Sequence, residues 1–218
     1  MKIPYISFVT VSRNDDYGGK DAFNRMQTVL THRLNQLGKY NIKSELLLID
    51  WNPPANKPLL KDAIKWPEKN NNCTIKTIIV SNEIHRKHCY GTDSPINIVK
   101  ALNCGIRRAR GVFILPAHMD LLYSDELMQF ISKKTLNENF RYRIARKDVN
   151  KNIIQNNSNG NILELCRKNI LRERRPMPKE RKKLQLFRTK LPNLFTSAGG
   201  DFQLLSNYNW QLLGGYYE

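Results

Sequence analysis

Three apolar runs in this chain stop at side chains suited to holding a charged ligand. Residues 3–11 give way to Ser12-Arg13-Asn14-Asp15-Asp16, residues 45–49 end at Asp50, and residues 111–117 end at His118-Met119-Asp120. Polar loop tips are ordinary; carboxylates or an arginine at three run ends form a pattern. The chemistry that wants it is a divalent cation carrying a phosphorylated ligand. Mg²⁺ or Mn²⁺ takes one or two protein oxygens and completes its shell with phosphate and water. It then neutralises charge on a departing phosphate. Asp120 is the expected metal ligand, and His118 is an orienting residue or a second ligand. The chain has no Gly-x-x-x-x-Gly-Lys-Ser/Thr loop and no Gly-x-Gly-x-x-Gly turn, which argues against a P-loop NTPase or a dinucleotide enzyme.

The elements that must position these residues follow from periodicity. Residues 3–11, 45–49, 74–80 and 112–115 read as strands rich in Ile, Val, Leu and Phe, and residues 140–146 as a further strand. Ala22, Phe23, Met26, Val29, Leu30, Leu34 and Leu37 recur at helical spacing, with Gly38 placed to end the helix. Ile98, Ala101, Leu102, Gly105, Ile106 and Ala109 share another helical face. Ser124-Asp125-Glu126 starts a third helix, to about Lys133, with a cap and acids in its first turn. Residues 163–175 carry weak helical periodicity, residues 150–161 an Asn-rich loop, and residues 206–213 a short helix with Trp210 on its apolar side. Strands alternating with helices predict an α/β fold with a mainly parallel central sheet flanked by helices. Such sheets bind ligands beyond the carboxyl ends of their strands, where the three polar run ends lie.

At 218 residues the chain suits one domain. The net charge of +17 favours anionic partners, but it is uneven: between Arg167 and Lys190 there are eleven Lys and Arg against two acids. That stretch has three uses open to it: a solvated face, a lid that clamps a diphosphate, or a nucleic-acid surface. With Phe187 as its one aromatic residue, the last is not favoured. Cys73, Cys89, Cys104 and Cys166 form no Cys-x-x-Cys pair, so neither zinc nor a disulfide framework is expected. His85 and His88 lack a second ligand pair and read as part of a polar loop. No apolar run is long enough for a transmembrane segment and the N-terminus lacks signal-peptide architecture, so a cytoplasmic protein is expected.

Four stretches, "YISFVTVSRND", "ELLLIDWNPP", "KALNCGIRRARGVFILPAHMDLLYSDEL" and "TSAGGDFQLLSNYNWQLLGGYYE", together resemble GT-A glycosyltransferases, the Rossmann-like family-2-like and galactosyltransferase-like groups. The resemblance covers roughly residues 5–149 and 194–218. It implies a single GT-A domain: a donor-binding half to about residue 149, a basic segment over about 150–192, and an acceptor-side segment over about 193–218 of a longer protein. It implies a nucleotide-sugar donor, UDP-linked, whose base and ribose lie along Thr10, Val11, Ser12 and Arg13. Asp50 contacts the base, and Asn103 borders the sugar or phosphates. His118-Met119-Asp120 replaces the Asp-x-Asp motif; Asp120 keeps the contact to Mn²⁺ or Mg²⁺, while histidine at the first position leaves the ribose contact open. Asp201, after Gly199-Gly200, is the candidate base toward a glycan or glycoconjugate hydroxyl, and Glu218 is the other candidate. Two different readings stand beside this one: a nucleotide-sugar-binding module without turnover, and a nucleic-acid-binding protein using residues 167–190.

Overall fold

The computed structural model of the chain describes residues 3–67, 72–89, 93–150, 153, 161–174 and 202–218. These fall into two compact units, Met1–Arg141 with Leu204–Glu218, and Tyr142–Gln203. The sequence predicts one domain in three segments.

The first unit is built on β1 (Ile6–Ser12), a strand buried along nearly its whole length. It has parallel neighbours on both sides, β2 (Ser44–Trp51) and β4 (Phe113–Pro116). β3 (Cys73–Val80) continues the parallel sheet beyond β2, and the short β7 (Leu205–Ser206) pairs antiparallel with β4. The order is β3-β2-β1-β4-β7. β2 is buried at all eight positions, as a strand covered on both faces requires, whereas β3 at the edge is fully buried only at its two end positions. The expected α/β fold with a mainly parallel sheet is therefore what the chain adopts.

Helix α1 (Ala22–Lys39) lays Ala22, Met26, Val29, Leu30, Leu34 and Leu37 into the core. Its stop differs from the expected one. Gly38 is inside the last turn, and Asn41 takes the left-handed conformation with φ 49°. The Ile42 N–H then reaches back to the Leu37 carbonyl at 3.0 Å. That six-residue closure satisfies the helix end, and asparagine tolerates the left-handed position because its short side chain bonds locally. Two short helices follow, α2 (Leu60–Ala63) between β2 and β3 and α3 (Asn82–His88) after β3. Helix α4 (Ile98–Ile106) starts at Asn97, whose side chain accepts the Lys100 N–H. Helix α5 (Asp125–Ser132) starts as predicted: the Ser124 hydroxyl accepts the Leu127 N–H, with Asp125 and Glu126 in the first turn. Helix α7 (Asn207–Leu212) buries Trp210, whose indole N–H donates to the Ile114 carbonyl at 3.0 Å.

In the second unit, β5 (Arg146–Val149) and β6 (Ile170–Arg174) form an antiparallel pair, with α6 (Ile162–Lys168) between them in sequence. Two expectations change here. The strand expected at residues 140–146 begins only at Arg146. The weak helix expected over 163–175 ends at Lys168, and Ile170 onward pairs with β5 instead. Cross-strand pairing overrides a marginal helical pattern. Most of the Asn-rich loop and of the basic stretch lies outside the described residues.

One carboxylate ties the amino-terminal edge of the sheet. Glu45 on β2 is 1% exposed. It accepts from the Ser7 hydroxyl on β1 at 2.7 Å, from Lys76 Nζ on β3 at 2.8 Å and from the Arg110 N–H ahead of β4. The Ser7 oxygen in turn accepts the Gly111 N–H at 2.7 Å. Burial pushes the Glu45 pKa up, but Lys76, the Arg110 N–H and Ser7 outweigh it and hold it below the ordinary 4.5. The unfolded chain therefore takes up this proton first as pH falls, and the stabilisation present above 4.5 is lost on acidification through the folded value. Glu45→Ala should lower the unfolding free energy by about 3 kcal/mol in urea titrations, because it strands the buried Ser7 hydroxyl and the Arg110 N–H and removes the ion pair with the partly exposed Lys76. Glu45→Gln should lose less, since its carbonyl still accepts from Ser7.

Candidate functional site

The chain leaves β1 toward β2 and β3, then returns to the other side of β1 as β4. At the carboxyl ends of β1 and β4 the connections therefore depart in opposite directions, and a crevice opens between them. A cavity of about 170 Å³ lies there. β1 and the loop after it contribute Val11, Ser12, Arg13, Tyr17 and Gly18; the end of β4 contributes Ala117, His118, Met119 and Asp120; Ile96, Ile98 and Leu102 close it from α4 and the turn before it. Most of this wall is apolar, with a few polar groups converging, the usual make-up of a small-molecule site.

The structure brings together six of the residues singled out from sequence: Val11, Ser12, Arg13, His118, Met119 and Asp120. Ser12 is buried, and its hydroxyl donates to the Met119 sulfur at 2.9 Å. The Met119 methyl, at the end of a flexible side chain, lies against Gly18, where a β-carbon would make it shift. Arg13 is nearly buried. Its Nε donates to Asp15 at 2.8 Å and its Nη1 to the Pro95 carbonyl at 2.7 Å, which ties the loop after β1 to the turn before α4. His118 and Asp120 are exposed at the rim.

Asp50, the penultimate residue of β2, is in register with Ser12 and is fully buried. Its Oδ2 accepts the Leu60 N–H at 2.8 Å, while its Oδ1 has no partner. Burial raises its pKa; the Leu60 N–H and the Arg13 charge pull the other way without cancelling it.

Three other residues stand elsewhere. Thr10 is buried with its hydroxyl toward α1, accepting from Arg33 Nη1 at 3.3 Å. Asn103 is buried on α4 and grips the C-terminal segment: its Nδ2 donates to the Tyr216 carbonyl at 2.9 Å and to Glu218 Oε1 at 2.8 Å, and its Oδ1 accepts the Tyr216 N–H at 2.8 Å. Glu218 also faces Arg107 at 3.4 Å. Asp201 lies outside the described residues.

Among the described residues no group of three or more His, Cys, Asp and Glu side chains could hold a metal ion. The donor set at the rim is one carboxylate with a neighbouring imidazole. That fits a cation completing its shell with phosphate oxygens better than a resident ion in a protein cage.

Sequence reasoning missed the supports of the site. His85 is buried on α3, not part of a polar loop, and its Nδ1 accepts the Trp51 indole N–H at 2.9 Å. Ser81, which caps α3, and the acid Glu83 in its first turn were the available signals. Asn52 Nδ2 donates to the same Pro95 carbonyl as Arg13, at 3.0 Å, and Asn52 Oδ1 accepts from Asn82 at 2.9 Å. Arg33 and Gln36 fall on the buried face of α1 among its apolar residues; two polar residues inside an apolar stripe were legible in the spacing.

No protein-family model matches the chain, and no curated protein matches it in sequence. Solved structures resemble it loosely. Residues 1–349 of S. aureus TarS, alone and in complex with UDP-GlcNAc, align with TM-scores of 0.39 at 14% and 12% identity, covering 59% of this chain. The match spans about a third of the TarS chain, 31% and 30% in the two structures. A Bacillus anthracis protein assigned as a glucose-1-phosphate thymidylyltransferase, in complex with a sucrose, aligns over 98% of this chain and 79% of its own, with TM-score 0.42 and 8% identity. Likenesses this loose carry no functional argument, and what the chain does has to be read from its own residues.

Two outcomes follow from this geometry. Burial first, then the charges of Arg13 and Arg86, hold the His85 imidazole below its ordinary 6.5. Its Nδ1 accepts only while the ring is neutral. The unfolded chain binds that proton first, so stability is intact above 6.5 and falls as pH drops through the folded value. Urea midpoints should decline between about pH 7.5 and about pH 5.5, and His85→Phe should flatten part of that decline. Gly215 has φ +97°, and a β-carbon there would strike Asn103 Oδ1. Gly215→Ala should release the C-terminal segment, seen as faster proteolysis after Leu213 with the sheet still protected.

Proposed function

We propose that the chain is the donor-binding domain of a glycosyltransferase, which takes a sugar from a nucleoside diphosphate, UDP-linked, and passes it to a hydroxyl of a glycan or glycoconjugate. The observation that carries this reading is a pair of acids on either side of β1, one at the cleft rim and one buried outside the cleft lining. Asp50 on the β2 side presents a fully buried carboxylate oxygen without a partner, and Asp120 on the β4 side is exposed at the rim. Two strand spacings, about 10 Å, separate β2 from β4. That is room for an extended ligand rather than a lone ion.

In this reading a base N–H meets Asp50 Oδ1, a group that otherwise bears the cost of an unmet acceptor. Val11 and Leu102 supply apolar surface to the base and ribose, and Arg13 adds positive charge beside them. Asp120, with His118 next to it, would hold Mn²⁺ or Mg²⁺ arriving with the diphosphate. When bound, the cation supplies charge neutralisation on the leaving group. Asp201 remains the proposed acceptor base. Glu218 is committed to Asn103 and Arg107 and would have to be freed to act as one. That commitment favours a second reading, a nucleotide-sugar-binding module without turnover, which hydrolysis of bound donor separates from the first.

The test is calorimetry of UDP-, GDP- and dTDP-sugars with and without Mn²⁺. UDP-sugars should bind, and Asp120→Ala should weaken the Mn²⁺-dependent binding at least tenfold, about 1.4 kcal/mol, while leaving the metal-independent part. Full metal-dependent binding in Asp120→Ala, or no nucleotide bound at all, would remove the assignment.

A further inference from the structure

We propose that Arg33, assisted by Gln36, is the positioning residue of the Asp120 loop: a buried guanidinium on α1 that holds the loop by its backbone carbonyls and so sets where Asp120 stands. The link from loop position to ligand rests on the nucleotide-sugar reading above; the anchoring itself does not.

The loop between β4 and α5 has little to hold it through its own backbone. The turn that presents Asp120 is closed by one long hydrogen bond, Leu121 N–H to the His118 carbonyl at 3.5 Å. The start of the loop is tied to β1 by the Ala117 N–H to Val9 carbonyl bond at 2.8 Å and by the Ser12–Met119 contact at 2.9 Å; beyond Asp120 its contacts come from α1. Arg33 Nη2 donates to the Leu121 carbonyl at 3.1 Å, one residue after Asp120. Gln36 Nε2 donates to the Tyr123 carbonyl and to Asp125 Oδ1, both at 3.0 Å. Arg33 is 2% exposed and Gln36 3%.

An arginine at this depth calls for explanation, because burying a charge without a counter-ion is unfavourable. Among the described residues no carboxylate pairs with Arg33. Its guanidinium lies 5.4 Å from the ring centroid of Phe8 and 4.8 Å from that of Tyr123, with Nη1 on the Thr10 hydroxyl and Nε without a partner. Aromatic faces supply part of the missing counter-charge. A leucine would fill an apolar stripe with less penalty. What arginine adds is a planar fork that holds two oxygens at once: the Thr10 hydroxyl on β1, and the Leu121 carbonyl beside Asp120. The fork thus locks the β4 loop to the strand across the cleft.

Two measurements test this on the full chain. The first is amide hydrogen exchange of the ligand-free protein as parent, Arg33→Met and Arg33→Lys. Amides 119–123 should exchange at least tenfold faster in Arg33→Met, and by a smaller factor in Arg33→Lys, whose single ammonium cannot span both oxygens. Amides of β1 and β2 should keep the parent rate. Parent-like exchange at 119–123 in a folded variant would overturn the proposal, and so would acceleration spread evenly over the sheet, which would mark a merely structural role. Should Arg33→Met not fold, Arg33→Lys decides by the same criterion. The second is a Mn²⁺ titration with UDP present. The Mn²⁺ midpoint should rise about tenfold in Arg33→Met while metal-free UDP affinity holds; an unchanged midpoint would overturn the link from the anchor to Asp120. If the parent protein binds no UDP, the functional reading falls and hydrogen exchange still decides the anchor.

Discussion

The constraint on which the rest depends is that β1 has parallel partners on both sides. A parallel neighbour cannot be reached by a tight turn, so each connection must cross a face of the sheet and return to the same starting edge. With β2 on one side and β4 on the other, the crossings depart in opposite directions. A gap at the carboxyl edge follows from that topology before any side chain is considered. It also explains why β1 and β2 tolerate almost no exposure, and why the polar groups they carry, Ser7, Thr10, Ser12, Glu45 and Asp50, each have to be reconciled with burial.

That reconciliation differs at the two ends of the sheet. At the amino-terminal edge Glu45 gathers Ser7, Lys76 and the Arg110 N–H, so the carboxylate is fully engaged and the strands are pinned together. At the carboxyl edge the accounts stay open. Asp50 keeps one oxygen without a partner, and Arg33 keeps one nitrogen without a partner and, among the described residues, no carboxylate paired with it. Unmet buried groups carry a desolvation cost, and Asp50, in register with the cleft residue Ser12, is the one that a ligand in the proposed reading would relieve.

Rigid supports surround that open edge. Arg13 and Asn52 converge on one carbonyl, that of Pro95, and join the loop after β1 to the start of α4. Arg33 and Gln36 reach from α1 to the loop after β4. The groups placed to meet a ligand sit on loops, while those that hold the loops sit on helices or directly after strands, the division of labour that keeps a site precise.

The sequence by itself determined the layer type, the order of the main elements and the edge of the sheet at which the polar residues gather, because hydrophobic period and polar run ends are local properties of the chain. It also made Val11, Ser12, Arg13, Met119 and Asp120 legible as a group. Tertiary structure alone decided the rest. Thr10 and Asn103 stand in the right segments, yet a strand or helix has two sides, and burial turned Thr10 to Arg33 and Asn103 to the C-terminal segment. Ile170 and its neighbours left a helical pattern for a strand because β5 offered a partner. The anchoring pair on α1 shows the same limit. Arg33 and Gln36 are 88 and 87 residues from the carbonyls they hold, and contacts across such distances follow from packing, which no local pattern encodes.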